Sequence, residues 1–298
     1  MKNMKYCKIC GSNNVTVTYE GPIRIGQSSK RTEKEYELFE CKNCGTIWHK
    51  NDMYDAKEYY ESTQYRLELE GAAGIEDYYI NHDRECKDKF LYTGTSIFRN
   101  KIVADIGCGG GSWLDFLKGV AEITIAVEPS AAYRKYLIEK GHKAYAYVEQ
   151  AVTDLGEMVD VITTFDVIEH VDDPQKFTNG IYSLLKNGGD AIIGTPTDLK
   201  HLRELLGTEF DGFVFSVQHP WVLGEKAIKL LCEKAGFREI EVKQFTRYGL
   251  GNVFAWLKDK APKGHITYPC ISETMEEAWK YASSEHGYGD YLVAYAKK

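Results

Sequence analysis

No apolar run in this 298-residue chain approaches the roughly 20 residues that a membrane-spanning helix needs. The first residues, Met1-Lys-Asn-Met-Lys-Tyr-Cys7, lack the apolar stretch of a secretory signal. Positive charge is short as well: 37 lysines and arginines face 44 acidic residues, a net charge of −7. Such a surface repels phosphate backbones and anionic lipid, so neither a nucleic-acid nor a membrane partner is expected. Internal repeats, low-complexity tracts and heptad series are also missing, which leaves an ordinary globular fold. These absences together predict a soluble, cytoplasmic protein. The 43% hydrophobic content is enough to bury one full core plus a smaller module.

The densest signal lies in residues 101–111, Lys-Ile-Val-Ala-Asp-Ile-Gly-Cys-Gly-Gly-Gly. Ile102, Val103 and Ala104 read as a buried strand ending at Asp105, followed by Gly107, Gly109 and Gly111. Ser112-Trp-Leu-Asp-Phe-Leu117 then has helical spacing, completing the first unit of a nucleotide-binding α/β sheet. The details point away from phosphate. No Gly-Lys-Ser/Thr follows, and position 112 is Ser where a dinucleotide loop carries its third glycine. Asp105 would repel a pyrophosphate and suits a ligand with a cationic end. Ile123-Thr-Ile-Ala-Val-Glu128 reads as the second strand, ending in the acid that accepts from ribose hydroxyls. A ribose, a positive end and no phosphate together describe S-adenosylmethionine.

With these motifs the chain resembles the class I S-adenosylmethionine-dependent methyltransferases. Asp160-Val-Ile-Thr-Thr-Phe-Asp166-Val-Ile-Glu169-His170-Val-Asp-Asp-Pro174 resembles that family's fourth strand and following helix. Leu184-Leu-Lys-Asn-Gly-Gly-Asp-Ala-Ile-Ile-Gly-Thr-Pro196 resembles its helix, Gly-Gly turn and fifth strand. Lys234–Val242 resembles the sixth strand with its lead-in, and Asp290–Lys298 the final antiparallel strand. The resemblance implies an α/β fold with a Rossmann-like seven-stranded sheet, its last strand antiparallel. It implies a core over residues 101–298 with insertions at about 197–222 and 246–285. The cofactor set it implies is Asp105, Gly107, Gly109, Gly111 and Glu128, with Asp166 and Tyr65 added. Cys108, inside the turn, reads as a small apolar packing residue.

Cys7-Lys-Ile-Cys10-Gly and Cys41-Lys-Asn-Cys44-Gly are near-copies of one knuckle. Each sets two sulfurs on one side of a tight turn, and two knuckles complete a tetrahedral four-thiolate site. A site closed by four cysteines leaves no position for water, so the expected Zn2+ is structural. Tyr36–Cys41 alternates like a strand entering the second knuckle, as in zinc ribbons. Residues 1–50 thus read as a zinc-ribbon module and 51–100 as a tyrosine-rich helical connector or cap. That layout resembles bacterial methyltransferases acting on sugars and surface glycans. Tyr59, Tyr60 and Tyr65 are the expected pocket tyrosines, since phenol rings suit a sulfonium face and sugar hydroxyls.

Methyl transfer from a sulfonium needs alignment above all, plus a base if the acceptor atom carries a proton. His219, in Ser216-Val-Gln-His-Pro-Trp221, and His170, after Glu169, are the candidate bases. His170 alternatively holds a helix start. Asp166, Glu169 and His170 also resemble the acid-x-x-Glu-His cluster of ubiquinone-type O-methyltransferases, where a divalent cation would lower an acceptor hydroxyl's pKa. Thr246–Trp256 reads as a lid offering Arg247 to a phosphorylated acceptor, or as a helix closing the core. The expected partner is a small molecule, a nucleotide sugar or glycan sugar. Quinone-type O-methylation and a non-catalytic binding protein of the same fold are the alternatives. A nucleic-acid methyltransferase is disfavoured, because Phe165-Asp-Val-Ile168 stands where Asn/Asp-Pro-Pro-Tyr/Phe would be.

Overall fold

The computed structural model describes residues 6–26, 30–50, 56–62, 65 and 74–298. Near the N-terminus β1 (Val15–Gly21), β2 (Tyr36–Cys41) and β3 (Ile47–Trp48) form an antiparallel ladder. The strands β4 (Ile102–Ile106), β5 (Ile123–Val127), β6 (Lys143–Tyr145), β7 (Val159–Phe165) and β8 (Leu185–Pro196) follow. After them come β9 (Trp221–Val222), β10 (Arg238–Phe245) and β11 (Tyr291–Lys297). The chain divides into two compact units. Met1–Asn51, Thr195–Ile228 and Val242–Val293 form one; Asp52–Gly194, Lys229–Glu241 and Ala294–Lys298 form the other.

Seven strands pair in the order β10-β11-β8-β7-β4-β5-β6, a mixed sheet with the last strand antiparallel. The pairs β4–β5, β4–β7, β5–β6 and β7–β8 are parallel. Strands covered on both faces are mostly apolar and buried along their length, and every residue of β7 is buried, Thr163 and Thr164 included. From β4 the chain runs outward to β6, then returns past β4 to β7, so strand order reverses at β4. Crevices at such a reversal are where α/β sheets hold ligands.

Helices α1 (Ala56–Glu61), α2 (Ile75–His82) and α3 (Cys86–Thr93) precede β4. Helices α4 (Ser112–Leu117), α5 (Ala131–Glu139), α6 (Val148–Leu155) and α7 (Pro174–Leu184) connect the parallel strands. The start of α7 is written locally: the Asp173 carboxylate accepts from the amides of Gln175 and Lys176, and Pro174 fills the first turn. His170 is therefore not the residue that caps this helix. It sits in the turn before it.

The expected Gly-Gly turn is instead part of β8. Leu185 pairs with Val159 and Asp190 with Val161, so the extra residues bulge within the strand. They are held because the Gly188 amide donates to the Lys298 carbonyl and the Lys298 amide to that of Gly189. The first expected insertion contains α8 (Lys200–Leu206), α9 (Thr208–Val214) and β9. β9 pairs with β3, Ile47 opposite Val222 and Trp48 opposite Trp221, extending the N-terminal ladder to four strands. Helix α10 (Glu225–Ala235) leads into β10, and α11 (Leu250–Asp259) and α12 (Glu273–Glu285) fill the second insertion. Among the described residues no helix is long and apolar enough to cross a membrane.

Candidate functional site

The glycine turn after β4 is drawn onto β5 by two bonds, from the Gly107 and Cys108 amides to the Val127 carbonyl. Gly107 has φ +75°, and a Cβ there would stand 2.2 Å from Val167 Cγ2. At Gly111, φ +88°, a Cβ would meet Leu137 Cδ2 at 2.4 Å. Both positions forbid a side chain on grounds of conformation and of space. Cys108 packs with Leu114, Ala126 and Leu137, a small apolar residue as expected.

Glu128, 2% exposed, closes the turn. Its Oε2 accepts from the Gly109 amide at 3.0 Å and its Oε1 from the Ser130 amide at 2.8 Å. A carboxylate offers about four acceptor sites, and ribose hydroxyls are donors of the kind it accepts from. Beside it the Ser130 hydroxyl is buried with no hydrogen-bond partner among the described residues. Asp105, 3% exposed at the end of β4, accepts from the Thr163 hydroxyl at 2.7 Å. Burial pushes its carboxyl up to about 6, against the attraction of Lys89. A buried carboxylate in this state gains from a cationic ligand group. Ribose acceptors, a buried acid and an orphaned hydroxyl around one turn fit S-adenosylmethionine.

Tyr78 and Tyr79 on α2 clasp this turn. The Tyr78 hydroxyl donates to the Cys108 carbonyl at 3.1 Å and the Tyr79 hydroxyl to the Gly110 carbonyl at 2.8 Å. The sequence shows the tyrosine pair but gives no hint that both hydroxyls would meet the glycine backbone. A second aromatic group brings Tyr59, Tyr60 and Tyr65 together, with ring centroids 5.1, 5.2 and 5.9 Å apart. Tyr60 shares a 2.9 Å hydrogen bond with His170 Nδ1, and the rings meet edge to face. Glu169 is buried, and its Oε1 lies 4.0 Å from His170 Nε2. The expected pocket tyrosines and one candidate base thus share a cluster.

Asp166 does not join it as a metal ligand. Its φ is +56°, its side chain is exposed, and it belongs to no trio of ligand atoms close enough to share a cation among the described residues. The Asp166–Glu169–His170 cation site is therefore not assembled as a trio among the described residues. His219 belongs to the other unit, in a turn where its amide donates to the Ser216 carbonyl. Arg247 is committed within that unit: its Nε donates to Asp290 Oδ1 at 3.1 Å and its guanidinium covers the Tyr291 ring. The lid reading yields to the packing one, since Val253, Ala255 and Trp256 of α11 are buried.

The four knuckle sulfurs, Cys7, Cys10, Cys41 and Cys44, lie within 4.8 Å of one another. Cys7 and Cys44 are 3.6 Å apart and Cys10 and Cys41 3.4 Å, near the roughly 3.8 Å edge of a tetrahedral zinc–thiolate site. The Gly11 amide donates to the Cys7 carbonyl and the Gly45 amide to that of Cys41, each at 2.8 Å, so the two turns match. The contact between the Cys7 and Cys44 sulfurs, with burial, pushes Cys44 up to about 12, and the same contact leaves Cys7 below the ordinary thiol value. Four thiolates at this distance repel, and a dication is what would let all four ionise. The donor set fits zinc.

A family model described as a methyltransferase domain matches residues 78–242, more than half of the chain. The ubiquinone biosynthesis O-methyltransferase of Vibrio atlanticus is 29% identical over 141 residues, 45% of this chain and 53% of that protein. Its counterpart from Vibrio vulnificus is 26% identical over 154 residues, 49% of this chain and 59% of that protein. The chain spans about half the length of the curated relatives it matches. A methyltransferase structure from Thermotoga maritima aligns over 82% of this chain and 100% of its own, with a TM-score of 0.52 at 20% identity. One from Archaeoglobus fulgidus aligns over 80% and 100%, with a TM-score of 0.51 at 18% identity. At these identities the structural likeness speaks for the fold.

Proposed function

The chain belongs to the family of methyltransferase domains, and we propose that it methylates a small hydroxylated acceptor, a nucleotide sugar or glycan sugar, on oxygen or carbon. S-adenosylmethionine supplies, when bound, a methyl group on a sulfonium that leaves as a neutral thioether. In this reading Asp105 receives the ligand's cationic end. Glu128 receives its ribose hydroxyls. Gly107, Gly109 and Gly111 let the backbone approach, and Tyr78 and Tyr79 hold the turn in shape. Alignment of the acceptor then supplies most of the rate.

The observation that carries the acceptor class is the Tyr59–Tyr60–Tyr65 cluster bonded to His170. Phenols at a basic imidazole suit a hydroxyl-bearing ring. An acceptor hydroxyl, or a carbon beside a carbonyl, must lose its proton, and we assign that step to His219. His170, bonded to Tyr60, orients the aromatic cluster. Cys7, Cys10, Cys41 and Cys44 hold a structural zinc that fixes residues 1–50 as a ribbon. Residues 51–100 cap the core at 101–298. Quinone-type O-methylation is the second reading, favoured by the names of the Vibrio relatives.

Mass spectrometry separates the two readings. The full chain is incubated with methyl-labelled S-adenosylmethionine and, in parallel, nucleotide sugars, free glycosides and a catechol-type quinol. Label in a sugar is the expected outcome. Label only in the quinol overturns the sugar reading.

A further inference from the structure

A cavity of about 300 Å3 lies wholly within the unit that carries the cysteine knuckles, and neither the cofactor set nor the knuckles use it. It opens just past the carboxyl end of β8, the edge where α/β sheets hold ligands. Its polar lining includes Asp198, Lys200, His201, Glu204, Gln244 and Tyr288, with Glu225 beside them, over an apolar floor of leucines.

The walls are fixed by bonds that use part of the lining: Asp198 Oδ1 accepts from the Lys200 amide at 3.3 Å and its Oδ2 lies 3.7 Å from Arg203. The Thr197 hydroxyl donates to the Gly289 carbonyl at 2.8 Å, and the Gly289 amide donates to Gln244 Oε1 at 2.9 Å. Leu199, also in the lining, has φ +49°, a costly conformation for a leucine that the surroundings must hold in place. Tyr288 is 53% exposed and its ring lies 5.0 Å from that of His201, tilted by 38°. The His201 ring nitrogens make no hydrogen bond among the described residues, although the ring is half-buried. Burial lowers its pKa, which favours the neutral imidazole, a form with one donor and one acceptor.

The chemistry of the lining selects a ligand. Three carboxylates against one lysine, Lys200, disfavour phosphate. A flat apolar quinone head has few donors to offer those carboxylates and the imidazole. A sugar ring fits both needs: its hydroxyls donate to carboxylates and imidazole, while its C–H face lies on an exposed tyrosine. The volume is at the low end for ligand pockets and matches a single ring.

We infer that this cavity is a sugar-ring subsite, with Tyr288 as its stacking platform and His201 and Asp198 as its hydrogen-bonding residues. The inference rests on the sugar reading above and adds to it a ring-binding subsite within this unit. Histidine resonances of the full chain are titrated with methyl glycosides of glucose, galactose, mannose and glucosamine. Inorganic phosphate and a catechol serve as controls. The His201 signal, identified by its loss in His201→Gln, is expected to shift saturably with at least one glycoside and with neither control. Tyr288→Ala, at an exposed position that leaves the fold intact by circular dichroism, is expected to weaken that glycoside roughly threefold to tenfold, the loss of one ring contact. No glycoside shift, an equal response to phosphate or catechol, or unchanged affinity in Tyr288→Ala overturns the subsite. Glycoside binding here without labelled sugar in the transfer assay refutes the acceptor reading alone. Labelled sugar with an unchanged KM in Tyr288→Ala refutes the subsite alone.

Discussion

Replacing Asp105 by asparagine is expected to stabilise the ligand-free protein at neutral pH while weakening its hold on S-adenosylmethionine. The folded-state carboxyl is raised from 3.8 to about 6 because burial penalises the anion. For an acid raised in this way, ionisation costs stability. The cost is absent below 3.8, grows as pH climbs from there to about 6, and is complete above. At 1.36 kcal/mol per tenfold change in proton affinity, that rise amounts to roughly 3 kcal/mol. Asparagine carries no charge, and its amide oxygen still accepts from the Thr163 hydroxyl. Its buried NH2 group lacks an assigned acceptor, which offsets about 1–2 kcal/mol of the gain. The expected net gain for Asp105→Asn is thus about 1–2 kcal/mol at pH 8, turning to a net loss of about 1 kcal/mol at pH 4, where the NH2 penalty dominates. Urea midpoints at the two pH values measure it, with the slope against urea unchanged. A variant no more stable than the parent at pH 8, or equally stabilised at both, refutes the ionisation argument. Calorimetry on the same variant should show affinity for S-adenosylmethionine down by about tenfold or more. Unchanged affinity would remove Asp105 from the ligand's cationic end.

Glu128→Gln keeps one carbonyl oxygen for the turn amides and is expected to weaken S-adenosylmethionine binding by about 1.5–3 kcal/mol; identical titration curves for parent and variant would sink the ribose assignment. Protein purified under reducing conditions should carry one zinc per chain, and chelation should unfold the cysteine module before the methyltransferase core. Elemental analysis without zinc counts against the four-cysteine site. His219→Asn should lower turnover by about 10²-fold or more at unchanged S-adenosylmethionine affinity, the usual scale of general-base catalysis. His170→Asn loses the bond to Tyr60 and should mainly lower stability, by about 1 kcal/mol. The reverse pattern transfers the base role to His170.

Most of the sheet was legible in the sequence. The turn at 107–111 demands positive φ and close approach, so its glycines announce it. β7 is mostly apolar and buried along its whole length because both its faces are covered, and Asp173-Pro174 marks the start of α7 because helix starts require a cap and tolerate proline. The knuckles are equally local, each closed by its own glycine amide. The Gly-Gly stretch was misplaced because its conformation is decided by a partner, the Lys298 backbone, far along the chain. The choice between lid and core-closing helix at Arg247 stays open in the sequence for the same reason: nothing near it announces Asp290.

What the sequence determined by itself is therefore the set of features with a local physical cause: strand periods, the glycine turn, the helix cap and the cysteine spacing. Only the tertiary structure decided that the hydroxyls of Tyr78 and Tyr79 clasp the turn, that Tyr60 meets His170, and that β9 joins the ladder of the knuckles. It also placed His201 and Tyr288 on one cavity. Those pairings join residues dozens to hundreds of positions apart. Their energies come from burial and hydrogen bonds that exist only after the chain has closed on itself, and no local pattern has to encode them.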